Sequence, residues 1–200
     1  FNGNANDESG FANDGTVLGA TLTADRFDQS GRAYGFDGVD DFIEVSESSA
    51  FDSQDYTISL WFNAFRFSDA DFVISKGRHN FEIHTGSPGV SGATGVRFLP
   101  RFGCSTSDHW DTPANAYVTN VWHHLVAIWN PSAIRVHIYV DGREQGIVGT
   151  PITATGGDNS FPLRLGVRHD GSLPFLGKID DVRIYNRPLS DAEVRQLYVS

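Results

Sequence analysis

Short apolar runs recur along this chain, each cut off by Gly, Pro, Asn or Asp: FIEV, YTISLWFNAF, FVISKG, FEIHTG, GVRFL, WHHLVAIWN, IRVHIYVDG, LRLGV and KIDDVRIYN. Runs of this length, rich in β-branched and aromatic residues, read as strands of a sandwich or barrel. Within IRVHIYV, Ile134, Val136, Ile138 and Val140 fall on one face while Arg135, His137 and Tyr139 fall on the other, the pattern of a half-buried strand. Asp141-Gly142 follows where a two-residue hairpin needs positive φ. One helix is expected, near the end of the chain. Ser190 is its N-cap, Glu193 completes a capping box and Pro188 stands just before it. Between Phe102 and Thr119 the pattern gives way to GCSTSDHWDTPANAYVT, too long and polar for a hairpin turn and therefore a candidate functional loop.

The 200 residues suffice for one domain with a substantial core, and a single domain over 1–200 is the expectation. The net charge of -10 argues against broad nucleic-acid or anionic-membrane binding, because phosphate contacts need a basic face. Cys104, the one cysteine, can form no internal disulfide. No run approaches the roughly 20 apolar residues of a membrane span. There is neither a signal peptide nor any Met, so the chain is expected to be a piece of a longer or processed protein.

Taken in order, AYGFDGVDDFIEV, YTISLWF, VISKG, VWHHLVAIWN, IRVHIYVDG and FLGKIDDVRIYNRPLSDAEVRQLY resemble the laminin-G-like, concanavalin-A-like jelly-roll family, particularly its bacterial modules. The resemblance spans nearly the whole chain and rests on the order and spacing of these pieces together. It implies an all-β, two-sheet antiparallel sandwich with one short C-terminal helix, in agreement with the run pattern. It leaves the ligand open, since this fold hosts lectins, carbohydrate-binding modules, adhesive domains and some glycan-cleaving enzymes.

The same resemblance implies a structural Ca²⁺. NANDESGFANDGT near one end and KIDDVRIYN near the other both carry Asp and Asn, and the first and last strands of such sandwiches commonly lie side by side. Calcium takes oxygen ligands from carboxylates, amides and backbone carbonyls. Mapped onto this chain, the family's site corresponds to Asp7, Asn13, the carbonyl of Gly15, and Asp180. Simple strand parity puts Asp180 on one face with Val182 and Ile184, where a carboxylate must be neutralised, paired or metal-bound. The alternative is ordinary turn chemistry, with Asp180 accepting hydrogen bonds from the N-terminal turn.

An enzyme on this fold needs two carboxylates across a cleft, or a base with a charge-neutralising cation. The chain has no E-x-D-x-x-E strand, no Q-x-H strand of the alginate-lyase kind, no G-x-S-x-G and no H-E-x-x-H. The nearest lyase-like set is Arg97, His84 and Tyr117. His123 and His124 are neighbours on one strand, point to opposite faces and are read as structural rather than as zinc ligands. Trp61, Phe62, Phe65, Trp122 and Trp129 lie inside strand runs and are read as packing.

Two features suit a glycan. Trp110, flanked by His109 and Asp111, could present a ring to a sugar's C–H face, or fold back to plug the sandwich end. In NFEIHTG, Glu82 and His84 share a face, as do Arg97 and Arg101 in GVRFLPR. On adjacent strands these would form a polar patch, with Arg78 and His79 in the turn leading into it and Arg168 of RHDGS reaching the same end. Arginine's fork suits carboxylate and sulfate, so the patch favours an acidic polysaccharide over neutral cellulose; the alternative is a solvated face of Arg–Glu pairs. The combined expectation is a noncatalytic carbohydrate-binding module of a larger secreted or cell-surface bacterial protein, tethered to a catalytic or adhesive domain. It would bind polysaccharide, and neither nucleic acid nor the membrane interior. The competing expectations are a protein-interaction or adhesion domain and a glycan-cleaving jelly-roll enzyme.

Overall fold

A computed structural model describes residues 1–53, 55–67, 70–77, 80–86, 94–100, 109–130, 135–149 and 160–200. In chain order the first strands are β1 Gly15–Leu18, β2 Thr21–Thr23, β3 Ala33–Asp37, β4 Phe42–Val45 and β5 Tyr56–Ala64. They continue as β6 Asp71–Ser75, β7 Glu82–Thr85, β8 Val96–Leu99, β9 Trp110–Asp111 and β10 His123–Asn130. The last are β11 Arg135–Val140, β12 Arg143–Glu144, β13 Val148–Gly149, β14 Leu163–Leu165 and β15 Leu176–Tyr185, followed by helix α1 Asp191–Val199. Sheet I has eight strands in the order β1-β4-β14-β6-β7-β8-β9-β13, and sheet II has seven in the order β12-β11-β10-β5-β15-β3-β2. The chain is thus the all-β antiparallel sandwich that the run pattern predicts, with one helix at its end.

Period-two alternation builds the core between the sheets. Ile58, Leu60 and Phe62 of β5, Leu125 of β10, Ile138 of β11 and Ile179 of β15 pack against Ile43, Ile74, Ile83 and Phe98 of sheet I. Each such side chain, fully removed from water, stabilises the fold by about 1.5–3 kcal/mol. Gly166 adopts φ +85, and a Cβ there would fall far inside contact distance of the Phe36 ring, so only glycine suits the turn after β14.

The outer face of sheet II is covered as well. Val126, Ile128 and Tyr139 lie under Leu189 and Val194, and the Tyr139 hydroxyl donates to Asp191 at 2.7 Å. The Ser190 hydroxyl accepts from the Glu193 amide while the Glu193 carboxylate accepts from the Ser190 amide, the expected capping box. Because the helix lies here, Tyr139 is buried rather than on a solvated face as the alternation suggests. Asp141 and Gly142 join β11 to β12 with φ of 52° and 71°, the hairpin turn read from the sequence.

Strand β15 breaks simple parity. Asp180 pairs with Trp61 and Arg183 with Ser59, which leaves one extra residue, and Asp181 takes φ 49°. After this bulge Val182 and Ile184 pack against the main core, whereas Asp180 stands on the outer side beside Arg26. Asp180 therefore does not share a face with Val182 and Ile184. It is buried by its ion-pair partners, not by the apolar core.

Candidate functional site

On the outer face of sheet I, strand register lines polar side chains into rows. Glu44 stands opposite Arg164, Arg164 opposite Ser75, and Ser75 opposite Glu82. Phe72 stands opposite His84, His84 opposite Arg97, and Arg97 opposite Asp111. The intervening Ile83, Val96 and Phe98 point into the core, which turns this face toward the outside.

The charges on this face answer one another. Arg97 makes two hydrogen bonds of 2.7 Å to Asp111, and His109 Nε2 lies 3.5 Å from the same carboxylate. Arg164 Nε donates to Glu44 at 2.8 Å. Glu82 Oε1 accepts from the Ser75 hydroxyl at 2.8 Å and lies 2.7 Å from His169 Nδ1, with Arg168 Nε at 3.9 Å. Arg168 also meets Asp170 at 3.3 Å and lies 5.6 Å from the centre of the Phe72 ring. His84 packs on Phe72 with ring centres 4.9 Å apart, and burial lowers its pKa to about 4, so it is neutral near pH 7.

The patch expected to be exposed is closed at its centre. Glu82 and His84 are 3% and 4% exposed, because Phe72 and the Arg168–His169 turn lie over β7. Among the described residues, Glu44, Arg97, Asp111, Arg164 and Arg168 are the half-buried charged side chains by which a ligand can reach this face. Arg78, His79 and Arg101 lie outside the described residues.

Trp110 stands on the other side of the sheet. It pairs with Phe98 and Gly149, and its ring occupies the space that a side chain at 149 would need while packing against the core. It plugs the sandwich, on the face opposite to Arg97 and His84, and with Asp111 it forms a short strand rather than irregular loop. Asp111 is the neighbour that reaches the outer face, and the signal for it was its one-residue offset from an apolar ring. His169, the histidine of RHDGS, reaches this face as the sequence suggested, whereas Phe72, Glu44 and Arg164 also belong to the face and were not singled out from the sequence. The lyase-like set is not assembled: Tyr117 is in the core against Phe62, and burial pushes its phenol up to about 12.

The two ends of the chain meet at Asp180. Its Oδ1 accepts from the Phe1 amino group at 2.9 Å and its Oδ2 lies 3.5 Å from Arg26, while burial raises its pKa against these partners. Asp180, Glu8, Asn2, Arg26, Arg32 and Arg183 line a cleft of about 340 Å³. Asp7 accepts from the amides of Ser9 at 2.8 Å and Asn13 at 3.0 Å, and the Gly15 amide donates to Ala5 O at 2.8 Å. Asp7, Asn13 and Gly15 thus close one loop, and each carboxylate of the mapped calcium set already holds donors. Among the described residues, Asp37, Asp40 and Asp41 place carboxylate oxygens within 4.8 Å of one another. Two of these carboxylates are engaged in turn hydrogen bonds, Asp37 Oδ1 accepting from the Val39 amide and Asp41 Oδ2 from the Asp37 amide, both at 2.8 Å.

His123 and His124 point to opposite faces. His123 Nδ1 lies 2.8 Å from Asp141 Oδ2, while His124 Nε2 lies 2.9 Å from the Ser59 hydroxyl and its ring packs on Trp61. Burial lowers the His124 pKa to about 4.

Residues 37–195 match the model of the concanavalin A-like lectin/glucanases superfamily. The chain is similar to the adhesion G-protein coupled receptor V1 of Danio rerio, 27% identical over 151 residues, which is 72% of this chain and 2% of that protein. It therefore spans a very small part of that relative's length. Among solved structures, domain 4 of AbnA, a GH43 extracellular arabinanase from Geobacillus stearothermophilus, in complex with arabinotriose, has a TM-score of 0.72 at 23% identity, covering 98% of this chain and 94% of that one. A Bacteroides ovatus protein for which carbohydrate binding has been proposed has a TM-score of 0.64 at 18% identity, covering 82% of this chain and 46% of that one.

Proposed function

Because the chain belongs to the concanavalin A-like lectin/glucanases superfamily, we propose that it is a noncatalytic carbohydrate-binding module of a larger secreted or cell-surface protein, with its glycan on the outer face of sheet I. The observation that carries this reading is the half-buried Arg97–Asp111 pair, with Arg164 and Arg168 on the same face. A bidentate Arg–carboxylate pair holds donors and acceptors in fixed positions, which suits sugar hydroxyls that both give and take hydrogen bonds. The likeness to a domain solved with arabinotriose supports the same class of ligand. Glu82 is tied to Ser75 and His169, and Asp111 to Arg97, so neither is placed as one of two facing catalytic carboxylates.

The pairing also bears on which glycan. The Asp111 carboxylate takes the Nε and Nη2 fork of Arg97 and offsets its charge, so the face as built favours neutral hydroxyls over the acidic polysaccharide that the sequence pattern suggests. Affinity electrophoresis against neutral and acidic polysaccharides, with calcium and with chelator, tests the reading. Retardation by a neutral glycan that Arg97→Ala abolishes is the expected result. Turnover of any polysaccharide that His84→Ala removes would overturn the noncatalytic assignment.

Calcium at Asp7, Asn13, Gly15 and Asp180 is part of the same proposal. These residues could supply carboxylate, amide and carbonyl oxygens, and the ion would tie the N-terminal loop to β15 in place of the donors now on Asp180. A second reading, protein interaction or adhesion, is favoured by the exposed Val39, Phe67, Val121 and Leu173. They project from loops at the end of the sandwich where Phe65 N–H meets Leu176 O and Asn120 N–H meets Ala64 O. Absence of retardation on every gel would shift the assignment to this reading.

A further inference from the structure

A second cleft lies where the β11–β12 hairpin meets the end of helix α1. It measures about 410 Å³ and is lined by Ala116, Val140, Asp141, Arg143, Gln145 and Tyr198. We propose that this cleft is a separate binding site for one neutral sugar ring, independent of the outer face of sheet I.

Its platform is Tyr198, 38% exposed although its ring is held in place. The ring stacks on Trp61 at 5.8 Å and 18°, and lies 6.1 Å from the His124 ring. Trp61 is backed in turn by the Arg26 guanidinium at 4.5 Å. A Cβ at Gly142 would come within 3.1 Å of the tyrosine, so a bare turn at φ +71 lets hairpin and ring sit together. An aromatic surface fixed before binding loses little freedom on binding, and its apolar area matches the C–H face of a sugar.

The polar groups around the ring have both senses. Asp141 is oriented by His123 on one oxygen, 2.8 Å, and by the His124 amide on the other, 3.0 Å. Burial works to raise its pKa, but these two bonds outweigh it and the carboxylate stays ionised, with lone pairs left for hydroxyl donors. The Gln145 side chain donates from Nε2 to Arg143 O at 3.0 Å, which fixes the amide and leaves its carbonyl oxygen as an acceptor. Arg143 is exposed and has no ion-pair partner among the described residues, unlike Arg97, Arg164 and Arg168 on the other face. Its guanidinium supplies the donors. With Asp141 and Arg143 of opposite sign lining one cleft, the charges offset and the site suits a neutral ring whose hydroxyls both give and take hydrogen bonds. With a site on each sheet, the module would be bivalent toward a long chain, which raises its avidity without new contacts.

Backbone-amide and arginine side-chain NMR spectra of the whole chain, titrated with arabinotriose, xylotriose and cellotriose, test this. The resonances of Asp141–Gln145 and Arg143 Nε are expected to shift and saturate with at least one probe. Tyr198→Ala and Arg143→Ala should each weaken binding at this site about tenfold, or ~1.4 kcal/mol, while Arg97→Ala leaves it unchanged. Arg143→Ala alters an exposed side chain, so its effect is separable from unfolding. Shifts confined to sheet I would uphold the first proposal and sink this one. Shifts confined to the hairpin would do the reverse. Hairpin shifts that survive both substitutions, or silence at the hairpin with all three probes, would also overturn the site.

Discussion

Replacing Glu82 by glutamine isolates the charge that holds the outer face of sheet I together. The carboxylate is 3% exposed, takes the Ser75 hydroxyl at 2.8 Å and His169 Nδ1 at 2.7 Å, and has Arg168 Nε at 3.9 Å. Glutamine keeps the shape and one acceptor oxygen but removes the charge that the histidine and arginine face. A hydrogen bond to a charged group contributes about 1.5–3 kcal/mol, and breaking a buried pair costs ~3–5 kcal/mol when the partner is stranded. Arg168 is not stranded, since its other nitrogen already meets Asp170 at 3.3 Å and its side chain is 19% exposed. The expected loss is therefore about 2–3 kcal/mol, a Tm lower by roughly 5–10 °C for a chain of this size. Calorimetry on wild type, Glu82→Gln, His169→Ala and the double variant should show coupling of about 1 kcal/mol between the two positions. An unchanged Tm, or strict additivity, would refute the view that Glu82 anchors the Arg168–His169 turn.

Burial holds His84 and His124 at about 4 against an ordinary 6.5, so unfolding lets each take up a proton sooner. Their stabilising share is complete above the unfolded value and is lost as pH falls through the folded one, at up to about 1.4 kcal/mol per pH unit for each histidine. His84→Gln should flatten the pH dependence of urea-measured stability across that window, and a slope equal to wild type contradicts the assignment. Gly166→Ala should cost about 2–4 kcal/mol, because it strains a left-handed residue and drives a methyl into Phe36; equilibrium unfolding within half a kcal/mol of wild type would show that the turn can relax. If calcium binds the folded chain, add-back after chelation raises Tm, by an amount equivalent to about 2.7 kcal/mol at a hundredfold excess over Kd. Superimposable melting curves would remove the ion from the proposal.

The strands, the Asp141-Gly142 hairpin and the Ser190–Glu193 capping box were legible because each follows from local chemistry: alternation, a turn needing positive φ, and a pair of reciprocal hydrogen bonds. What escaped was whatever depends on a distant partner. Parity misplaced Asp180 because a one-residue bulge at Asp181 is invisible in KIDDVRIYN. It assigned Tyr139 to a solvated face because the helix covering it is contributed by residues fifty positions later. The pairing of His84 with Arg97 was readable from two alternating runs, whereas the closing of that face by Phe72 and His169 was not, since neither alternation nor turn chemistry says which loop folds over which strand. Trp110 is the instructive residue: flanked by polar neighbours it resembles a surface ring, yet its place opposite Phe98 directs it inward.

Strand β15 lies in the middle of sheet II, between β5 and β3, although it is the last strand to be made. Until it emerges, β5 and β3 each keep an open edge, for a time on the order of ten seconds at ordinary rates of synthesis. Such edges are templates for wrong pairing with other chains. Sheet II can therefore be completed only late, once β15 is made, and the yield of this protein in a cell should follow the speed of that step and the help of chaperones more closely than the stability of the finished fold.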